Sequence, residues 1–211
     1  MIIIPSILVK SVNEFTKQIT SLEGLLKMAQ LDITDGIFVP NTTWADPKIV
    51  SKTAKIDLEL HLMVKYPLNE LKRWQNVPQI KRVLFHAESA DNINEVIREI
   101  KKNNWEAGIV LNPDTEISII ESNINQLSVV MFMGVYPGFQ GQKFIPKTLD
   151  RIKNFKAKHP NCLIAVDGAV NSETIANIAK AGADIVCPGS AIFNDNSVVQ
   201  NVKKLYELYN F

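Results

Sequence analysis

Short apolar runs alternate with amphipathic stretches from one end of the chain to the other. A strand buried on both faces, followed by a helix, is the repeating unit of a parallel sheet covered by helices. The runs are IIIPSIL (2–8), KMAQLDI (27–33), DLELHLMV (57–64), RVLFHAE (82–88), EAGIVLN (106–112), SVVMFMGV (128–135), CLIAVDG (162–168) and DIVCPGS (184–190). Helix starts are read from cap residues. SVNEFTKQITSLEG (11–24) opens on Ser11 with Glu14 three positions on and closes on Gly24; NINEVIREIKKNN (92–104) and NSETIANIAKAG (171–182) each open on asparagine. Eight such units in 211 residues predict a single-domain (β/α)8 barrel over residues 1–211 with short loops. A doubly wound open sheet is the competing architecture. It generally uses fewer strands and, for dinucleotides, a glycine fingerprint after the first strand, which IIIPSILVKS lacks.

Charge narrows the partners. Lysine plus arginine number 23 against 22 for aspartate plus glutamate, with no basic tail or stripe, so nucleic acid is not an expected partner. The apolar start MIIIPSILVK has neither a basic leader nor a small-residue cleavage site, and no apolar run approaches the roughly 20 residues of a membrane span. The expectation is a soluble, cytoplasmic protein with no membrane partner. Cys162 and Cys187 both fall in apolar runs and read as buried thiols rather than a disulfide or a zinc site.

In a barrel, side chains alternate inward and outward, and the C-terminal strand ends carry the active site. Gln30, Asp32 and Thr34 then share one face, Glu59, His61 and Met63 another, and Ala165 and Asp167 a third. Asp32, His61 and Asp167 come from three strands and converge at the mouth, where two carboxylates and an imidazole suit Zn²⁺, Mn²⁺ or Fe²⁺. Three isolated, hydrogen-bonded strand-end residues are the competing reading, and spacing alone does not separate the two. Glycine turns follow the last three runs: PGFQGQ (137–142), DGA (167–169) and PGS (188–190). One such turn is ordinary loop chemistry; three on consecutive strands point to an anion site built from backbone N–H groups. His86, in FHAES, is read as a structural partner of Glu88 beneath the pocket, with proton transfer as the alternative. Met63 and Met133 read as barrel filler.

Along nearly its whole length the chain resembles the ribulose-phosphate 3-epimerase family. The resemblance rests on PSIL (5–8), LDITDGIFVPN (31–41), LHLMV (60–64), HAE (86–88), GIVLNPDT (108–115), VYPGFQGQKFIP (135–146), VDGAVN (166–171) and PGSAIF (188–193). It implies a TIM barrel, a homo-oligomer, and inversion at C3 of a pentulose 5-phosphate by proton transfer through an enediolate. By position it implies Asp32 and Asp167 as the acid/base pair, also ligands with His61 of one divalent metal ion (Zn, Mn or Fe). It further implies substrate contacts from Ser6, His61, Met63, Met133, Gly138, Phe139, Gln140, Gly141, Gly168, Ala169, Gly189 and Ser190. The chemistry needs such help, because a carboxylate of ordinary pKa near 4 cannot take a proton α to a ketone unless the enediolate is stabilised as it forms. Asp35, on the opposite strand face, is expected to cap or orient the following loop.

The chain departs from the family pattern at several pocket positions. Gln30 stands where the family has a second metal-binding histidine and is a tentative fourth ligand. Thr34 replaces a methionine, Gly134 a serine, Tyr136 an asparagine, Gln140 a glycine, and Ala169 the second glycine of DGG. Two alternatives therefore stay open beside the ribulose 5-phosphate epimerase: a phosphosugar-binding barrel without catalysis, and an epimerase of another ketose phosphate such as a ketohexose 6-phosphate. An aldolase or decarboxylase on the same scaffold is less favoured, since no Schiff-base lysine ends a strand.

Overall fold

A computed structural model describes residues 1–139, 141–194 and 197–209. Nine strands form one parallel sheet: β1 (Ile2–Ile3), β2 (Ser6–Ile7), β3 (Met28–Thr34), β4 (Asp57–Met63), β5 (Ile80–His86), β6 (Glu106–Leu111), β7 (Val129–Met133), β8 (Leu163–Asp167) and β9 (Ile185–Cys187). Their order is β1-β9-β8-β7-β6-β5-β4-β3-β2. The first apolar run is thus one stave interrupted by Pro5, whose ring removes a ladder donor. On one side Ile4 N donates to Val186 O at 3.0 Å and Ser6 N to Pro188 O at 3.1 Å; on the other Gln30 N donates to Pro5 O at 2.9 Å. The two ends of the sheet are therefore the two halves of the same short segment. The sheet closes, and the predicted (β/α)8 barrel is the observed fold.

Helices α1 (Val12–Leu22), α2 (Pro47–Thr53), α3 (Pro67–Trp74), α4 (Ile93–Lys102), α5 (Lys147–Lys158), α6 (Ile175–Ala181), α7 (Ser190–Phe193) and α8 (Val198–Tyr209) cover the outside. Ser11 and Asn92 cap as expected, accepting from Glu14 N at 3.3 Å and Glu95 N at 3.2 Å. Asn171 does not cap α6. Its Oδ1 takes Glu173 N at 2.8 Å within a turn, and the helix begins four residues later. Between β6 and β7 the expected helix is a 3₁₀ stretch, Ile117–Gln126. Its β-branched isoleucines and its serine and asparagines favour alternatives to the α conformation.

The core has two compartments. Phe15, Leu31, Leu60, Phe85, Phe132 and Phe155 pack between sheet and helices. Inside the barrel a smaller cluster includes Ile4, Leu84, Val110, Met131, Ala165 and Ile185. Gly108 makes room for it, since a Cβ there would lie 2.1 Å from Leu84 Cδ2 and 2.7 Å from Val129 Cγ1. Toward the N-terminal end Arg82 bridges the fully buried Glu59 (2.7 Å) and Glu106 (2.8 Å). With the interior filled from below, space for a ligand is left at the C-terminal mouth. Cys187 is buried in β9, but Cys162 precedes β8 and is only half-buried, because the strand starts one residue later than the apolar run suggests. Among the described residues no helix is long and apolar enough to cross a membrane.

Candidate active site

The parallel register aligns the functional side chains before any side-chain packing is considered. Gln30 pairs with Glu59, Asp32 with His61 and Thr34 with Met63 across β3 and β4. Asp167 on β8 pairs with Met133 on β7 and Cys187 on β9. Period-two alternation then points Gln30, Asp32, His61 and Asp167 inward. All four are buried.

Asp32, His61 and Asp167 each offer one ligand atom, and these atoms lie within 4.8 Å of one another. His61 Nδ1 is 3.0 Å from Asp32 Oδ1 and 3.2 Å from Asp167 Oδ2. Gln30 Nε2 enters the same cluster, donating to Asp32 Oδ1 at 2.8 Å and Asp167 Oδ2 at 2.9 Å, and stands 3.2 Å from His61 Nδ1. Burial and the nearby Asp167 charge raise the pKa of Asp32. Burial opposes charge on His61 as well, yet its bonds to Asp167 and Asp32 and their charges win, lifting it to about 10. His61 is therefore held between the two acids as a proton-bearing ring, and a cation at Nδ1 would take that proton's place. Its Nε2–H donates to His86 Nε2 at 3.0 Å, and His86 can accept because burial pushes its pKa down to about 4. Behind it, His86 Nδ1 and Glu88 Oε2 approach to 3.4 Å. Glu88 is held at about 2 despite partial burial, by His86, Thr115 and the Asn112 N–H.

Asp35 faces the other way. Its Oδ1 accepts from Ile37 N and Phe38 N, both at 2.8 Å, and Oδ2 from Lys65 N at 2.7 Å. Burial works against these backbone donors, but together they hold the carboxyl below its usual range. The group ties the loop after β3 to the loop after β4, the orienting role expected of it.

Above the cluster opens a cavity of about 180 Å³, below the roughly 300–1,000 Å³ of drug-sized pockets and suited to a small metabolite. Asp32, Asp167, Ser6, Met63 and Met133 line one part, and Gly138, Phe139, Gly141, Gly168, Ala169, Gly189 and Ser190 the rest. His61 and Gln30 lie fully buried and do not line it. Gln140 lies outside the described residues. Leu8, Val135, Gln142 and Asn171 also line the cavity and were not singled out from the sequence, and Cys187, read there only as a buried thiol, lines it too. Gln142 had a readable signal as the amide closing PGFQGQ: its Nε2 donates to Tyr136 O at 2.7 Å and Phe139 O at 3.0 Å, folding that turn. Asn41 fixes the same turn from β3's loop through Gly138 O at 2.6 Å.

The side chains present fit a divalent cation. Two carboxylate oxygens and an imidazole nitrogen converge, and Gln30 Oε1 is a buried acceptor without a partner among the described residues.

The profile of the ribulose-phosphate 3 epimerase family matches residues 2–193. Ribulose-phosphate 3-epimerase of Bacillus subtilis (strain 168) is 35% identical over 201 residues, covering 91% of this chain and 92% of its own. The enzyme of that name from Aquifex aeolicus (strain VF5) is 33% identical over 195 residues, covering 89% and 87%. Among solved structures, KGPDC from Streptococcus mutans in complex with D-R5P superposes with a TM-score of 0.75 over 99% of this chain and 96% of its own. At 8% identity that likeness speaks for the fold alone. Matched in sequence over most of its length by a family profile and by relatives at this level of identity, the chain belongs to the ribulose-phosphate 3-epimerase family.

Proposed function

We propose that the protein interconverts D-ribulose 5-phosphate and D-xylulose 5-phosphate, removing the C3 proton on one face of the sugar and returning a proton on the other. The observation that carries this reading is that Asp32 and Asp167, from β3 and β8, line one cavity while sharing His61 and Gln30 beneath it. Their bonds use Asp32 Oδ1 and Asp167 Oδ2; the second oxygen of each accepts no hydrogen bond among the described residues, which leaves it for the substrate. Inversion needs one carboxylic acid and one carboxylate at the start of each turnover. Burial and the proximity of Asp167 raise the pKa of Asp32, which favours a proton on that side of the pair. Asp32, Asp167 and His61 would hold a divalent ion. When bound, it supplies positive charge where negative charge develops on the substrate oxygens.

The phosphate is assigned to the glycine turns. Among the described residues no lysine or arginine lines the cavity, so an anion there depends on backbone N–H groups that Gly138, Gly168 and Gly189 allow to come close. A substrate screen with ribulose 5-phosphate and ketohexose 6-phosphates, run with added Mn²⁺, Zn²⁺ or Fe²⁺, tests the reading. Turnover of the pentulose phosphate is expected. Binding without turnover of any ketose phosphate contradicts it and favours a phosphosugar sensor.

A further inference from the structure

Gln30 extends this reading and rests on the metal-assisted site it describes. Its side chain is wholly buried; one end of the amide meets Asp32 Oδ1 and Asp167 Oδ2, and the other, Oε1, has no partner among the described residues. Its register partner on β4 is Glu59, also wholly buried, whose Oε2 takes Arg82 at 2.7 Å and whose Oε1 is likewise unpartnered. Two buried orphan acceptors thus lie on register partners of neighbouring strands, and the Gln30 amide touches the three converging ligand atoms. Buried acceptors of this kind are uncommon and call for a missing partner.

A half-turn of the terminal amide exchanges Oε1 and Nε2 within nearly the same volume. The oxygen then joins Asp32 Oδ1, Asp167 Oδ2 and His61 Nδ1 around one point, and the N–H pair takes the place of the unpartnered oxygen. A cation at that point favours this orientation, because positive charge attracts the carbonyl end and repels the amide hydrogens. We propose that Gln30 is an oxygen ligand, so that the site is a three-oxygen, one-nitrogen set biased toward a hard ion such as Mn²⁺ relative to Zn²⁺. Oxygen-rich sets suit manganese and magnesium, whereas imidazole suits zinc. The order of divalent affinities still places Zn²⁺ above Mn²⁺ in absolute terms. The inference therefore concerns the ratio between the two.

The test uses the full chain stripped with a chelator, with Mn²⁺ and Zn²⁺ affinities measured by competition calorimetry for the wild type, Gln30→His and Gln30→Glu. Gln30→His is expected to raise the Zn²⁺ to Mn²⁺ affinity ratio at least about tenfold, a change of the size that even outer-shell partners exert on metal affinity. Electron spin-echo modulation of bound Mn²⁺ should count one imidazole nitrogen in the wild type and two in Gln30→His. Gln30→Glu, nearly isosteric and still an oxygen donor, should tighten Mn²⁺ at least as much as Zn²⁺. An unchanged ratio and a single imidazole in Gln30→His, or no tightening in Gln30→Glu, overturns the inference and leaves the metal-assisted reading standing. A wild type that binds neither ion overturns both.

Discussion

Asp32 and Asp167 are held close by what lies between them. His61 and the Gln30 amide bridge two acids whose charges would otherwise repel at short range in a buried site, the repulsion that raises Asp32. Replacing either acid by asparagine removes a general acid/base while preserving shape, and should lower kcat by about 10²–10⁴-fold; a steady-state assay showing a smaller loss would deny that acid its role. The paired histidines make opposite contributions to stability. His61, raised from 6.5 to about 10, stabilises the fold fully below pH 6.5 and loses that contribution as the pH rises toward 10. His86, lowered from 6.5 to about 4, refuses a proton that the unfolded chain accepts, so stability falls as the pH drops from 6.5 to 4. In chelator, His86→Asn should flatten the acid limb of the Tm profile between those values and leave the alkaline limb in place; an unchanged acid limb contradicts the assignment. The inward face of Asp32, His61 and Asp167 was legible because period two and the strand-end rule fix it. The contact between His61 and His86 was not, since it depends on how two rings on neighbouring strands lean toward each other.

At the level of elements, glycines set how closely the staves and turns approach. Gly134 follows β7, donates to Asp167 O at 2.6 Å, and would place a Cβ 2.3 Å from Gly168 O. That obstacle is backbone and cannot rotate away. At Gly108 the nearest obstacle, at 2.1 Å, is the end of the Leu84 side chain, with the Val129 side chain next at 2.7 Å. Overpacking of this kind costs about 1–3 kcal/mol. Urea denaturation should show Gly134→Ala as the more destabilising of the two alanine variants, and equal losses would argue against a rigid junction behind Asp167. Gly134 occupies the position where the family resemblance implies serine, and in this chain a Cβ there would meet the Gly168 carbonyl. Caps at Ser11 and Asn92 could be read directly because a hydrophobic period starts just after them. The start of α6 could not, since Asn171 is as good a turn former as a helix cap and the turn prevails. Pro5 was visible in the sequence, but only the pairing of its two flanks with opposite ends of the sheet shows that it sits at the barrel's seam.

For the whole molecule, the barrel separates stability from chemistry along its axis. Charged and apolar side chains fill the interior below the site, with Glu59 dependent on Arg82. Arg82→Met leaves that carboxylate buried without its cation, and should cost about 3–5 kcal/mol; calorimetric unfolding that shows no loss would mean Glu59 is neutral in the folded protein. The mouth, by contrast, is lined by residues from β2, β3, β4, β7, β8 and β9 and their loops, so the cavity exists only when the sheet has closed. The fold was legible because eight apolar runs repeat the same instruction, whereas the donor set around Gln30 depends on which end of one amide faces inward. The central claim is that two different carboxylates serve opposite faces of C3. Its most direct test is a single turnover of ribulose 5-phosphate in D₂O, with deuterium located by NMR in product and in unreacted substrate. Two bases predict xylulose 5-phosphate carrying solvent deuterium at C3 while the remaining substrate stays largely protiated; product retaining the substrate's own proton contradicts the account.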